Sequence, residues 1–195
     1  MSTQTALKDA IVKDHREIFL YYDQYQKADG DTEAQARWAR QLTWEVARHS
    51  VGEEIVVYPL LEKHLGQRGV QLADHDRADH QTVKEYLSHL ESLKPGTAEY
   101  DQTLRTVMTN LREHIESEEK TDLPLLEEKL TQGDSQHAAN QFARTKKFVP
   151  TRAHPMAPSK PPFETLVGFM TAPLDKLKDH LASFPTDEMK RDAGI

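Results

Sequence analysis

The chain repeats itself at a distance of 65 residues, without a gap, and the repeat is densest where the residues are His and Glu. The segment His49-Ser50-Val51-Gly52-Glu53-Glu54, closing on Tyr58-Pro59-Leu60-Leu61-Glu62, returns as His114-Ile115-Glu116-Ser117-Glu118-Glu119, closing on Leu123-Pro124-Leu125-Leu126-Glu127. Asp14-His15 returns as Asp79-His80 at the same offset. Residues 7–65 laid on 72–130 agree at fifteen of fifty-nine positions, among them Leu7/Leu72, Asp9/Asp74, Tyr21/Tyr86 and Leu65/Leu130. A duplication that preserved only a fold would scatter its identities over the core. Here they gather on potential metal ligands, which points to a duplicated site.

Breakers divide the repeat into four long helical segments. The first runs from about Thr5 to Lys27 and ends at Ala28-Asp29-Gly30-Asp31; the second runs from Thr32 to about Leu65 and ends at Gly66 and Gly69. The third spans about Val70 to Leu93 before Lys94-Pro95-Gly96, and the fourth about Thr97 to Leu130 before Gly133. Four helices of this length on short loops predict an all-α fold, an antiparallel up-down-up-down four-helix bundle. Pro59 and Pro124 each remove a helical hydrogen bond, so a kink is expected in helices two and four beyond the His/Glu pair. Residues 1–133 form the expected bundle. Residues 134–195 form a C-terminal helix (Ser135–Lys147), an extended arm (Phe148–Phe163) and an amphipathic stretch interrupted by Pro173 (Glu164–Phe184). The arm's apolar residues, Phe148, Val149, Met156, Phe163, Leu166, Val167 and Phe169, are expected to pack back on the bundle.

The face of each helix on which the histidines fall decides their role. His15 fills the gap in the stripe Leu7, Ile11, Ile18, Tyr22, Tyr25, and His80 leads into Val83, Leu87 and Leu90. The ladder Leu42, Val46, His49, Glu53, Val57, Leu60 and its counterpart Leu104, Met108, Leu111, His114, Glu118, Leu125 run straight through both polar pairs. Side chains four apart share a helix face, so His15, His49, Glu53, His80, His114 and Glu118 all point inward. Four imidazoles and two carboxylates buried without partners cost several kcal/mol per charge, and bound metal offsets that cost. If both carboxylates bridge, carboxylates and imidazoles fill eight positions of two octahedra, a bridging oxo or hydroxo adds two, and one position on each metal stays open. A single tetrahedral zinc needs only four ligands and strands the rest.

Composition narrows the metal and the partners. The chain has no cysteine, which excludes disulfides, thiolate-bound haem and iron–sulfur clusters, so imidazole and carboxylate are the donors, a set that suits iron, manganese or zinc. The formal charge of −7 argues against nucleic-acid binding. No apolar run approaches a membrane span, the opening Met1-Ser2-Thr3-Gln4 begins no signal peptide, and the expectation is a cytoplasmic protein.

At these residues the chain resembles the hemerythrin-like (HHE, cation-binding) family over about residues 5–130. The residues that carry the resemblance are the two His-x-x-x-Glu segments, each leading into Pro-Leu-Leu, and one further His on each of the other two helices. Phe148 through Pro150-Thr151-Arg152, His154-Pro155 and Met170-Thr171-Ala172-Pro173 are similar to the tail of many fungal members. The resemblance implies two non-haem iron ions, oxo- or hydroxo-bridged, held by His15, His49, Glu53, His80, His114 and Glu118. It departs from the family's oxygen carriers in two places. Asp76 stands where they carry a further histidine, with His75 about 140° off that line, and helix four reads His-x-x-x-Glu instead of His-x-x-x-x-Asp. Asp76, Glu54 and Glu119 are candidates to complete the coordination or to support it. His64, His89, His137, His154 and His180 lie off the ladders.

These readings favour a di-iron protein that binds or senses oxygen, nitric oxide, peroxide or iron itself. A di-iron oxidase or peroxidase is the first alternative, although the Glu-x-x-His pair of ferritin-like oxidases is absent from the sequence. A zinc hydrolase without His-Glu-x-x-His, and a helical interaction module with hydrogen-bonded core histidines, complete the alternatives.

Overall fold

The computed structural model describes residues 5–157, 159–160, 163–180 and 182–195, with the backbone alone over 163–170. Four long helices make the body of the molecule: α1 (Leu7–Lys27), α2 (Thr32–Leu65), α3 (Gln67–Leu90) and α4 (Ala98–Ser117). Each packs along the next in sequence. No strand occurs among the described residues. Their starts carry the local chemistry that ends a loop. Asp31 caps α2 by accepting from the backbone N–H groups of Glu33 and Ala34, and Thr97 caps α4 by accepting from that of Tyr100. The N-terminus of α1 has no cap of its own. Its first N–H groups are satisfied from elsewhere in the chain, Leu7 N–H by Ser135 Oγ and Lys8 N–H by Glu127 Oε1, each at 2.9 Å.

A single residue, Gly66 at φ 56°, joins α2 to α3, a backbone region that favours glycine. Gly69, in the first turn of α3, lies against the Leu61 carbonyl, where a Cβ would collide with backbone.

The fourth helix departs from the sequence expectation. It does not continue as α-helix to Leu130; a π turn over Glu118–Asp122 separates it from the short α5 (Leu123–Glu127). Pro124 therefore falls in the first turn of α5, where its missing N–H is not needed. Pro59, by contrast, lies within α2 without ending it. Widened turns of this kind recur where a helix must re-aim a side chain into a site.

Beyond the bundle, α6 (Gln132–Thr145) docks on α1 and α2. The amphipathic stretch expected to break at Pro173 is one helix, α7 (Phe163–His180), and its exposed proline ring faces water. A short α8 (Asp187–Asp192) follows. The tail returns to the bundle through apolar packing of Ala153, Met189 and Ala193 and through polar contacts. Arg77 Nε donates to the Ser159 carbonyl at 3.0 Å, Gln81 to that of Pro155 at 3.1 Å and Arg37 to that of Phe184 at 2.9 Å. Val149 is buried as expected, but Met156 is 96% exposed and Phe148 59%. Phe163, Leu166, Val167 and Phe169 lie outside the residues whose side chains are described.

The core is split in two. One apolar cluster gathers Ile18, Tyr22, Trp38, Leu42, Leu87, Leu104 and Leu111, and the other Leu7, Ile11, Val57, Leu61, Leu123 and Phe142. Between them lies a buried polar layer formed by the histidines and acids of the repeat. Phe142 brings α6 against that layer through a gap at Gly52, where a Cβ would stand 2.8 Å from the ring. Exchanging glycine for alanine inside a helix gains up to about 1 kcal/mol, whereas overpacking a core costs about 1–3 kcal/mol. Gly52→Ala is therefore expected to lower the thermal midpoint. A raised midpoint by calorimetry would mean that α6 yields freely at this contact.

Candidate metal centre

The structure brings all six inward residues of the ladders together. His15, His49, Glu53, His80, His114 and Glu118 are each at most 2% exposed. The imidazoles form two pairs, His15 with His49 and His80 with His114, each with Nε2 atoms 3.1 Å apart. Glu53 lies between the pairs. Its Oε1 is 3.2 Å from His49 Nε2 and 3.9 Å from His15 Nε2, and its Oε2 is 3.4 Å from His80 Nε2. Glu118 Oε2 is 3.4 Å from His15 Nε2. Two three-residue groups result, His15–His49–Glu53 and Glu53–His80–His114, each with ligand atoms within 4.8 Å and with Glu53 common to both.

The outer nitrogens explain why the inner ones are free. Nδ1 of His15 faces Glu119 at 2.9 Å, and Nδ1 of His80 faces Glu54 at 3.1 Å. Nδ1 of His49 faces Asp14 at 3.3 Å, and Nδ1 of His114 faces Asp79 at 3.5 Å. The carboxylates follow the repeat: Asp14 and Asp79 serve the next helix's histidine, and Glu54 and Glu119 serve the remaining two. The Nδ1–H groups of His15, His49 and His80 meet carboxylates and that of His114 faces Asp79 without a hydrogen bond, so the Nε2 lone pairs point at one another. Two lone pairs hold at 3.1 Å only with a cation between them, a proton in the metal-free chain or a metal ion in the loaded one. Adjacent ligands on an octahedral metal at about 2.1 Å stand roughly 3.0 Å apart, which matches this spacing.

The charges agree with that assignment. Burial opposes a charge on His49, yet Glu53 and Asp14 push it up to about 10; Glu53 and Glu54 likewise push His80 up to about 9 against its burial. Despite their own burial, Glu53 is held well below the usual carboxylate range by His49 and His80, and Asp14 below it by His49 and Lys146. None of the four oxygens of Glu53 and Glu118 accepts a hydrogen bond of sound geometry. Buried, unpaired carboxylate oxygens beside imidazole nitrogens are a donor set built for cations, and the residues fit a bridged metal pair.

Two further residues break the symmetry, both on the side of His80. Tyr58 is fully buried, and its hydroxyl lies 3.1 Å from His80 Nε2 and 3.3 Å from Nδ1; its counterpart in the repeat is Leu123. Asp76 is fully buried with both oxygens unpartnered, and its counterpart is Ile11. Burial, Glu118 and Asp122 push Asp76 up to about 9, while burial and Glu118 push Asp122, at the end of the π turn, up to about 6. Tyr58 was not among the residues singled out from the sequence, where Tyr-Pro read as part of the shared tail. The aromatic residues considered there, Tyr22 and Tyr25, stack in the core with ring centroids 6.3 Å apart. His75 is exposed and stays outside the site, 3.8 Å from Asp79.

Comparison with known proteins supplies the family. The family model of the hemerythrin HHE cation-binding domain matches residues 7–126. The chain belongs to the hemerythrin HHE family. An uncharacterized hemerythrin-like protein of Schizosaccharomyces pombe is 48% identical over 181 residues, covering 93% of this chain and 89% of that protein. A DNA nickase of Nostoc is 20% identical over 146 residues, covering 75% of this chain and 40% of that protein. No solved structure matches the chain. Within the described residues, no helix of this hemerythrin-like chain is long and apolar enough to cross a membrane.

The shifted groups set the pH response of the metal-free chain. His49 and His80, raised in the fold, contribute stability that is complete below about 6.5 and is lost as pH rises through about 9 and 10. Asp76 acts in the same direction, because the fold keeps its proton up to about 9 while the unfolded chain releases it near the ordinary carboxylate value. The thermal midpoint of the metal-free protein is expected to fall steadily from pH 6.5 to 10. A midpoint that rises over that range contradicts the assigned protonation.

Proposed function

We propose that this hemerythrin-like chain is a non-haem di-iron protein whose metal pair reversibly binds a small diatomic or peroxidic ligand. The observation that carries the reading is Glu53, which stands buried between two imidazole pairs with both oxygens free of hydrogen bonds. In this reading the four long helices form an antiparallel up-down-up-down bundle. His15, His49, His80 and His114, with Glu53 and Glu118, would hold the metal pair. Iron bound there supplies redox-active positions open to a small molecule. Manganese meets the same donor set.

The chain's own residues do the rest. Asp14, Glu54, Asp79 and Glu119 fix the four imidazoles in the tautomer that turns Nε2 inward. The two apolar clusters flanking the polar layer keep water from it. Tyr58 brings a hydroxyl to the His80 side, where we place the small ligand, and its O–H is positioned to donate to an electronegative guest. Asp76, a fully buried acid with both oxygens unpartnered, favours a second reading on the same site: a redox enzyme in which Asp76 would exchange a proton during turnover. Steady consumption of peroxide by the loaded protein would select that reading over reversible binding. The partner proposed in either case is a small molecule, since a net charge of −7 opposes a phosphate backbone.

Elemental analysis after anaerobic loading with ferrous iron is expected to give two irons per chain. His114→Ala should lower both the iron content and the thermal midpoint, because a ligand that binds only the native state stabilises it. An unchanged iron load removes His114 from the site. Tyr58→Phe is expected to keep both irons and to release nitric oxide about five- to tenfold faster, the loss of one hydrogen bond of about 1 kcal/mol. An unaltered release rate places the guest elsewhere.

A further inference from the structure

Three of the four imidazoles lie at the inner end of a radial series of ring, carboxylate and, outermost, cation. Behind His80, Glu54 receives Lys84 Nζ at 2.6 and 2.7 Å. Behind His15, Glu119 receives both terminal nitrogens of Arg16, at 3.2 and 2.9 Å. Behind His49, Asp14 is bonded by Lys146, which also donates to Glu45 at 2.6 Å. Behind His114, the outer neighbour of Asp79 among the described residues is the exposed ring of His75, at 3.8 Å.

Lys146 stands apart by origin. It lies at the C-terminal cap of α6, beyond residues 7–126 that the family model matches, and its side chain is only 11% exposed. Phe142, one turn earlier, meets His49 edge-on with ring centroids 5.8 Å apart. Gly52 opens the space for both, since a Cβ there would stand 2.8 Å from Phe142 and 3.3 Å from Lys146 Cγ. An element outside the matched domain thus brings a ring and a cation to one histidine of the centre. Asp14, Glu17 and Glu45 could between them hold a cation, and Lys146 bonds two of the three. The acidic trio is therefore the seat of a lysine.

We propose that Lys146 is a positioning residue of the metal centre: its ammonium holds Asp14, Asp14 holds the Nδ1–H of His49, and the series sets how strongly His49 donates to its metal. The inference rests on the metal-pair reading above. A carboxylate that accepts from Nδ1–H strengthens the opposite nitrogen as a donor, and a cation on that carboxylate moderates the effect. Removing the ammonium leaves Asp14 free to draw on the imidazole proton and takes a positive charge from beside the site. Both changes favour the oxidised metal, so they add. Lys84 performs the same service for His80 from within the bundle. Arg16 is 60% exposed, and solvent weakens its part.

The test compares the full-length protein with Lys146→Met, Lys146→Gln and Lys146→Arg, each loaded anaerobically with ferrous iron. Lys146→Met and Lys146→Gln are expected to retain both irons while the midpoint potential falls. At a fixed potential the oxidised-to-reduced ratio should rise about tenfold, or ~59 mV for a one-electron couple. Lys146→Arg should restore the wild-type value. A structural role alone would lower the melting temperature of all three variants and leave the potential where it was, and that result overturns the proposal. The glutamine variant, close in length and still a donor, covers the case in which methionine unseats α6. Nitrogen-15 spectra of the metal-free imidazoles separate the two readings. If wild type takes up no iron, the metal pair fails. The lysine series then stands if the His49 Nδ1–H signal moves in Lys146→Gln and returns in Lys146→Arg, and falls if it stays put.

Discussion

Four imidazole lone pairs and two carboxylates meet in a dry layer at the middle of this protein, and they can meet only around positive charge. The constraint is electrostatic. With every Nδ1 facing a carboxylate, the two Nε2···Nε2 contacts of 3.1 Å would be repulsive between neutral rings. Glu53 and Glu118 would be carboxylates buried without compensation. Protons on the histidines meet the need in the metal-free chain, and metal ions meet it in the proposed loaded one. The apolar clusters on either side, the loop chemistry and the docking of α6 all hold this layer in register.

The repeat supplies most of that register at once. Because the two halves are copies, a carboxylate placed behind one histidine is placed behind its partner too: Asp14 and Asp79 behind His49 and His114, Glu54 and Glu119 behind His80 and His15. The copies differ on both sides: Gly52 and Glu45, which admit Phe142 and Lys146 beside His49, correspond to Ser117 and Asn110. Tyr58 and Asp76 replace what the other half carries as Leu123 and Ile11, and the π turn re-aims the strand of helix around Asp122. A symmetric frame with an asymmetric lining makes the surroundings of the His15–His49 and His80–His114 pairs inequivalent.

Much of this was legible in the sequence because helical periodicity is a strong signal over segments this long. The inward ladders named six candidate ligands, and the structure buries those six residues in one layer. The four carboxylates were visible as repeat identities, but not their assignments. Asp14 serves His49 on the next helix and not its neighbour His15, a pairing that depends on how the helices face one another. Tyr58 was hidden because its repeat counterpart is Leu123, and nothing along the chain places its hydroxyl beside His80. Lys146 is 132 residues from Asp14, and sequence patterns carry no information about such a contact. The prolines misled in opposite ways. Pro173 sits inside α7 without breaking it, whereas near Pro124 the disturbance is a π turn upstream of the residue that suggested it.

The proposed function stands on one coupled metal pair held jointly by Glu53 and Glu118. Mössbauer spectroscopy of the protein loaded with iron-57 and oxidised in air reads that coupling. Two antiferromagnetically coupled ferric ions are expected to give a diamagnetic ground state, resolved as two inequivalent doublets. Magnetically isolated ferric iron, at one ion per chain, would contradict it.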